Sequence, residues 1–265
     1  LNDKQKIGLQ YYYDILERIP RSEIEEFKTI LEKIFSRVSK NVEGVSSFEI
    51  VGSYRRNAQT SGDIDLIITN SENKSEIFKL FLDELVKEKI IIELLSRGKV
   101  KSLTIGRLPT GTSTENRLAR RIDLLYSPPK EYAFAILYFT GSQEFNTVMR
   151  QHALDMGYTL NEHGISTKQD GIKGDLVTTT EFKTEKDIFD FFNLEYKTPI
   201  ERKDGYAVTV KGEKTESNRQ EKEEKQEKQE KQETKVKSHN KTQKRSPETK
   251  PENIMKRQVE EFLNN

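Results

Sequence analysis

Cysteine is absent from the 265-residue chain, which excludes disulfides, thiolate zinc sites and cysteine nucleophiles. Histidine is scarce. His152, His163 and His239 are too few and too scattered to suggest a zinc centre, and His163 reads as a packing residue. No apolar run approaches the ~18 residues of a membrane span, and no signal-peptide pattern opens the chain. The expectation is a soluble, intracellular protein without a membrane partner. An excess of one charge is missing too, since 45 Lys and Arg face 44 Asp and Glu for a net +1. Overall charge therefore carries no argument for a nucleic-acid partner. Leu1 stands where an initiator Met is expected, which suggests a piece of a longer product.

What is abundant is polarity: 34% of residues are charged and the mean hydropathy is −0.81. Much of it lies at the end. From about Ala207 the hydrophobic pattern stops, and Gln220 to Glu233 contains nothing but Glu, Lys and Gln. Such a segment cannot build a core, although opposite charges three and four apart can support a transient helix. Residues 207–265 are accordingly expected to be a disordered tail. Ile254, Met255, Val259, Phe262 and Leu263 have sparse apolar spacing there, which leaves open a helix that binds a protein partner.

The remaining residues alternate helical and strand patterns. Ser22 and Glu25 form a capping-box signature ahead of Ile24, Phe27, Ile30, Leu31, Ile34 and Val38 at helical spacing. An earlier helix is predicted from Asp3 to Arg18, closed by Pro20, and another from Ser75 to about Lys89. Apolar segments at Phe48 to Val51, Ile64 to Ile68, Ile90 to Leu95, Val100 to Ile105 and Ile122 to Tyr126 read as strands, with the turn-rich Ser53 to Gly62 between the first two. After Pro128-Pro129 helices are predicted at Glu131 to Phe139 and Glu144 to Met156. Short strands follow near Tyr158 to Leu160 and Gly164 to Thr167, then a Thr184-capped helix through Phe192. The fold class is α/β of the α+β type: a mixed or antiparallel sheet with flanking helices over 1–128, then a small α+β lobe over 129–206.

Three aspartates stand out against this frame. Asp63 and Asp65 lie two apart in a strand pattern, so both side chains leave one face about 6.6 Å apart along the backbone. Asp123 ends a basic stretch, for Arg97 to Arg121 holds seven Lys and Arg and one acidic residue, Glu115. Two strands bringing three carboxylates together would make an all-oxygen nest for Mg²⁺, and paired divalent ions suit phosphoryl transfer. A basic stretch beside it suits a polyanionic substrate.

Gly52-Ser53-Tyr54-Arg55-Arg56, Ser61-Gly62-Asp63-Ile64-Asp65, Arg120-Arg121-Ile122-Asp123, Tyr138-Phe139-Thr140-Gly141-Ser142 and Asn161-Glu162 occur in the order and at the spacing of DNA polymerase family X. From about Gln5 to Arg202 the chain resembles the catalytic core of that family's beta type, a nucleotidyltransferase palm followed by a fingers-like, nucleotide-binding lobe. Beta-type members carry a lyase region and a helix-hairpin-helix region upstream, and the resemblance here begins after both. It implies a metal-dependent DNA-directed DNA polymerase that fills gaps in repair, with base excision repair as the setting. It further implies Mg²⁺ as two ions, with Mn²⁺ able to substitute, dNTP as substrate, and primer-template or gapped DNA as partner. A nuclear protein is expected on that ground, helped by the basic run Lys241 to Arg245.

By the same resemblance, Asp63 and Asp65 bridge both metals, and Asp123 completes the one that binds the primer hydroxyl. Ser53, Arg56 and the backbone at Gly62 are expected to hold the triphosphate, while Arg55 is structural. Tyr138, Phe139 and Gly141 are expected to face the nucleotide sugar. Asn146 and Arg150, four apart on one helical face, are expected to meet the nascent base pair and the template. Arg97, Lys101 and Arg121 are expected to contact DNA. Gln143, Leu125 and His163 depart from the pattern. They stand where beta-type members have an Asp that contacts the base, an Arg that exchanges partners near Glu162, and an aromatic residue. A template-independent nucleotidyltransferase and a silent DNA-binding scaffold are the alternatives.

Overall fold

The computed structural model describes residues 2–109, 117–169 and 171–212. The expected tail from 213 onward, with its basic run and terminal helix, lies outside them. Contacts group Leu1–Val208 as one compact unit and Thr209–Asn265 as another. The fold of the first is as follows.

The strands Ser46–Ile50 (β2), Ile64–Asn70 (β4), Ile91–Arg97 (β5), Lys101–Gly106 (β6) and Arg120–Tyr126 (β7) form a five-stranded sheet in the order β2-β4-β7-β6-β5. All neighbours are antiparallel except β4 and β7, which run parallel. A two-residue pairing of Ile19–Pro20 (β1) with Thr60–Ser61 (β3) stands apart. Arg21–Ser39 (α3) and Glu76–Lys87 (α5) cover one face of the sheet. Ile24, Phe27, Leu31, Ile34 and Val38 recur every three or four residues on α3 and are buried against Phe78, Phe81, Leu82 and Leu85 of α5. Each such side chain contributes roughly 1.5–3 kcal/mol by leaving water.

Side-chain alternation along the paired strands decides where the aspartates go. Ile64, Leu66 and Ile68 of β4, with Ile122, Leu124 and Tyr126 of β7, enter the core beneath α3 and α5. Ile67 faces the other way, into a second cluster with Val51, Ala135 and Ile136. Asp65 shares the face of Ile67, and Asp123 lies beside Asp65 in register.

That opposite face receives the second lobe. Its first helix, Tyr132–Thr140 (α6), is buried almost continuously from Ala133 to Leu137. A helix apolar all round belongs in an interior, and α6 sits between the sheet and its own lobe. The lobe continues with Gln143–Asp155 (α7), an antiparallel sheet of Tyr158–Asn161 (β8), Gly164–Gln169 (β9) and Ile172–Leu176 (β10), and Glu185–Phe191 (α8). Thr184 caps α8 as expected, through a reciprocal capping box with Asp187. Ala207 and Val208 are buried, slightly beyond the point where the sequence pattern stops.

Three details differ from expectation. The N-terminal helix is two, Asp3–Gln10 (α1) and Tyr12–Leu16 (α2), broken at Tyr11. Helix α3 begins at Arg21 with Pro20 as N-cap, and the Ser22/Glu25 capping box is not formed. The Arg21 amide already donates to Gln59 O at 2.9 Å, so the β1-β3 pairing sets the helix entry and Glu25 is free to accept from the Tyr54 hydroxyl at 2.8 Å. Within the predicted turn region, Gly52–Arg55 (α4) is a single helical turn.

Candidate active site

The parallel register pairs Asp65 directly with Asp123, while Asp63 lies just before β4 rather than within it. Neighbouring strands stand about 4.8 Å apart, so two carboxylates are side by side on one face with a third at its edge. Their electrostatics show the crowding. Burial, then Asp63, then Asp123 push the Asp65 carboxyl up to about 8, against the opposing pull of Arg121 and Lys101. Burial also raises Asp123, with Arg121 working the other way. Like charges this close disfavour joint ionisation unless a cation compensates.

Arg121 supplies part of that compensation. Its Nε and Nη2 donate to Asp123 Oδ2 at 3.1 and 2.8 Å. The second oxygen, Asp123 Oδ1, is buried without a hydrogen-bond partner, a costly state for a carboxylate. Gly52 closes the site from α4. With φ +63° it adopts a backbone that favours glycine, and a Cβ there would come 3.2 Å from Asp65 Oδ2. An orphaned carboxylate oxygen, two neighbouring carboxylates and space beside Asp65 are the donor set a hard divalent cation takes. The nest expected from sequence is not closed, however. Among the described residues no three His, Cys, Asp or Glu side chains are grouped tightly enough to hold a metal ion.

The other expected site residues fall in three groups. Ser53 Oγ donates to Ser61 Oγ at 2.8 Å, which ties α4 to the strand preceding exposed Gly62. Arg56 Nη1 donates to Thr140 O at 2.5 Å, and burial lowers its pKa. Gly141 ends α6 at φ +64°, where a Cβ would lie 3.2 Å from Arg56 Nη1. Beyond it, Tyr138, Asn146, Arg150 and Asn161 line one small cleft with Leu137 and Met149. Asn146 Nδ2 donates to Tyr138 O at 2.7 Å. Phe139 packs edge-on against Tyr138 and onto the Val51–Ile67 cluster.

Of the basic residues, Lys101 pairs in register with Leu125 and so shares the aspartates' face, where its charge acts on Asp65 and Asp123. Arg121 is engaged by Asp123 within the site. Arg97 is not brought to the aspartates. It pairs across the sheet with Ser102, which pairs with Leu124, and therefore projects to the opposite face, where it meets Asp83 of α5. His163 is exposed, not packed, with Nδ1 2.7 Å from Glu131 Oε2. Its position in the turn between β8 and β9 leaves it no core to enter.

Sequence reading misses the partners of Arg55. Its guanidinium meets Glu49 at 2.5 Å, Thr140 Oγ1 at 2.8 Å and both oxygens of Glu185 at 2.9–3.0 Å. Arg202, fully buried, holds the same Glu185 at 2.5 Å. A charged residue at the start of a capped helix reads as a solvated dipole partner, which conceals a buried ion triad joining positions 55, 185 and 202.

A mixed sheet carrying adjacent-strand carboxylates, roofed by a helical lobe with a glycine turn, defines a nucleotidyltransferase core. Residues 18–129 match the family described as DNA polymerase beta palm and residues 135–203 match DNA polymerase beta thumb. The lobe anticipated as nucleotide-binding thus bears the name thumb. The chain carries both domains and belongs to DNA polymerase family X. It is 34% identical over 213 residues to DNA polymerase lambda of Rattus norvegicus, a match covering 76% of this chain and 36% of that protein. It is 31% identical over 217 residues to DNA polymerase lambda of Arabidopsis thaliana, covering 76% and 40%. It is 25% identical over 238 residues to DNA nucleotidylexotransferase of Xenopus laevis, covering 76% and 44%. The matched part spans less than half the length of each relative. Among the described residues no helix is long and apolar enough to cross a membrane.

Proposed function

We propose that this chain catalyses template-directed addition of a dNTP to a primer 3′-end, filling short gaps in DNA repair. The observation that carries the reading is the parallel pairing of Asp65 with Asp123 on the face beneath α6. The primer hydroxyl oxygen forms a bond to the α-phosphorus, the bond to the β-phosphate bridging oxygen breaks, and pyrophosphate leaves. Bound Mg²⁺, as two ions or with Mn²⁺ in its place, supplies the positive charge that favours hydroxyl deprotonation and pyrophosphate departure. Asp63, Asp65 and Asp123 are the residues that would hold it. Ser53, Arg56 and Gly62 border the triphosphate, Tyr138 and Phe139 the sugar, and Asn146 and Arg150 the nascent pair and template. Lys101 draws the DNA backbone by charge. Residues 1–128 act as the palm and 129–206 as the second lobe. Nuclear residence and recruitment of a protein partner through residues 207–265 follow from the repair setting and the basic run near Lys241.

Similarity to a nucleotidylexotransferase favours a second reading, template-independent addition. Primer extension with each dNTP on one-nucleotide-gapped DNA and on single-stranded DNA separates the two. Gap filling by a single templated nucleotide supports the first, whereas untemplated runs on single strands support the second. Asp123→Asn should abolish addition, by at least ~10³-fold, with the melting temperature maintained. Near-normal incorporation by that variant would remove the site assignment.

A further inference from the structure

The turn that carries Tyr138, Phe139 and Gly141 is held from both sides by a ring of buried polar contacts. On its N-terminal side, Thr140 is fully buried and gripped twice, from α4 and from its C-cap Arg56. Arg55 Nη1 donates to its hydroxyl at 2.8 Å and Arg56 Nη1 to its carbonyl at 2.5 Å. On the C-terminal side, the Ser142 amide donates to Arg202 O at 3.1 Å. Glu185 joins the two sides, since it binds both Arg55 and Arg202. Gly141 lies inside this ring with Arg56 against it. The same α4 turn bears Ser53 and begins with Gly52, which lies against Asp65. A continuous chain of contacts therefore runs from Asp65 through Gly52 and the tandem arginines to the aromatic turn.

We propose that Thr140 is a positioning residue: clamped by Arg55 and Arg56, it fixes the distance of the Tyr138–Phe139 turn from the aspartates and thereby sets selection between deoxyribose and ribose in the incoming nucleotide. The assignment rests on the polymerase reading above. The physical basis is that a side chain discriminates against one hydroxyl only if its backbone cannot retreat. Tyr138 O accepts from Asn146 Nδ2 at 2.7 Å and Phe139 packs on the Val51–Ile67 cluster; the Thr140 clamp adds the tie between this turn and Arg55 and Arg56 beside the aspartates. Loss of the Thr140 hydroxyl bond leaves Arg55 and the carbonyl contact in place and loosens the turn without removing any group that meets the nucleotide.

The full chain is compared with Thr140→Val, which keeps shape but not the hydroxyl, and Thr140→Ser, which keeps the hydroxyl. Single-nucleotide incorporation of dNTP and rNTP is measured together with hydrogen exchange of the peptide spanning 138–146. The expected result for Thr140→Val is faster exchange in that peptide, a dNTP KM raised about tenfold with kcat within about threefold, and about tenfold weaker preference for dNTP. Thr140→Ser should restore all three. Unchanged exchange overturns the clamp, and faster exchange with unchanged sugar preference overturns its role in selection. A uniform loss of kcat in both variants with KM unmoved also overturns it. Wild-type chain that incorporates no nucleotide sinks the polymerase reading and sugar selection with it, while the exchange comparison still decides the clamp.

Discussion

Asp65 is buried and crowded by Asp63 and Asp123. Its pKa is raised to about 8 from a model-peptide value near 4, so the folded chain keeps a proton that the unfolded chain has already released. Stability from this group is complete below about pH 4 and falls as pH rises toward 8. Asp65→Asn should therefore raise the melting temperature at pH 8–9 in chelator-treated protein, show little gain at pH 4, and abolish nucleotide addition. Urea titrations at both pH values measure it, and equal gains at the two would contradict the carboxylate origin. A function that costs stability is the usual state of an active site. At this scale the aspartates were legible only in combination: an Asp-x-Asp pair alone is common at strand ends, and it was Gly52-Ser53 before it and Asp123 after it that made the pattern specific. The partners of Arg55 were not legible, because ion pairs across 130 positions leave no local pattern.

Among the elements, α8 reaches the palm's α4 turn through Glu185. Burial alone would push this carboxyl up, but hydrogen bonds from Arg55 and Arg202 outweigh it and hold it below its ordinary range. The sign is opposite to that at Asp65. The contribution is present above the unfolded value near 4.5 and is lost as pH falls through the depressed folded one. Glu185→Gln leaves two guanidinium groups without their shared partner and should cost ~3–5 kcal/mol at neutral pH. The difference between variant and wild type should shrink on acidification below about pH 4.5. Chemical denaturation at several pH values is the measurement, and a difference that does not narrow in acid would assign the loss to packing. Most elements were anticipated within a few residues, since amphipathic spacing on α3 and α5 and alternation on β4 and β7 are local signals. The missed β10 is exposed throughout and lacks the apolar alternation by which strands are recognised. The unformed capping box at Ser22 is the reverse case, a genuine local signal overruled by the β1-β3 pairing.

For the whole molecule, near-neutral net charge means that DNA affinity depends on where the basic groups lie. Lys101 and exposed Arg150 lie on the aspartate side of the sheet or at the lobe's cleft, whereas Arg97 lies on the far face with Asp83. Lys101→Ala should lower the slope of log affinity against log salt by about 1, the value for one phosphate contact, and Arg97→Ala should leave it unchanged. Binding to gapped DNA between 50 and 200 mM salt tests both, and equal losses would refute the face assignment. The amino-acid sequence by itself determined the class of chemistry, the order of the elements and the face on which each strand buries its apolar side chains. Element order and strand faces depend on neighbours a few positions apart, and the class of chemistry on motifs read in order along the chain. Tertiary structure alone decided that β7 inserts beside β4 in parallel, that Arg97 turns away while Arg121 turns inward, and that Arg55, Glu185 and Arg202 close around Thr140. Register and ion pairing between distant segments are set by which faces can be buried together, and that is known only once the chain has folded.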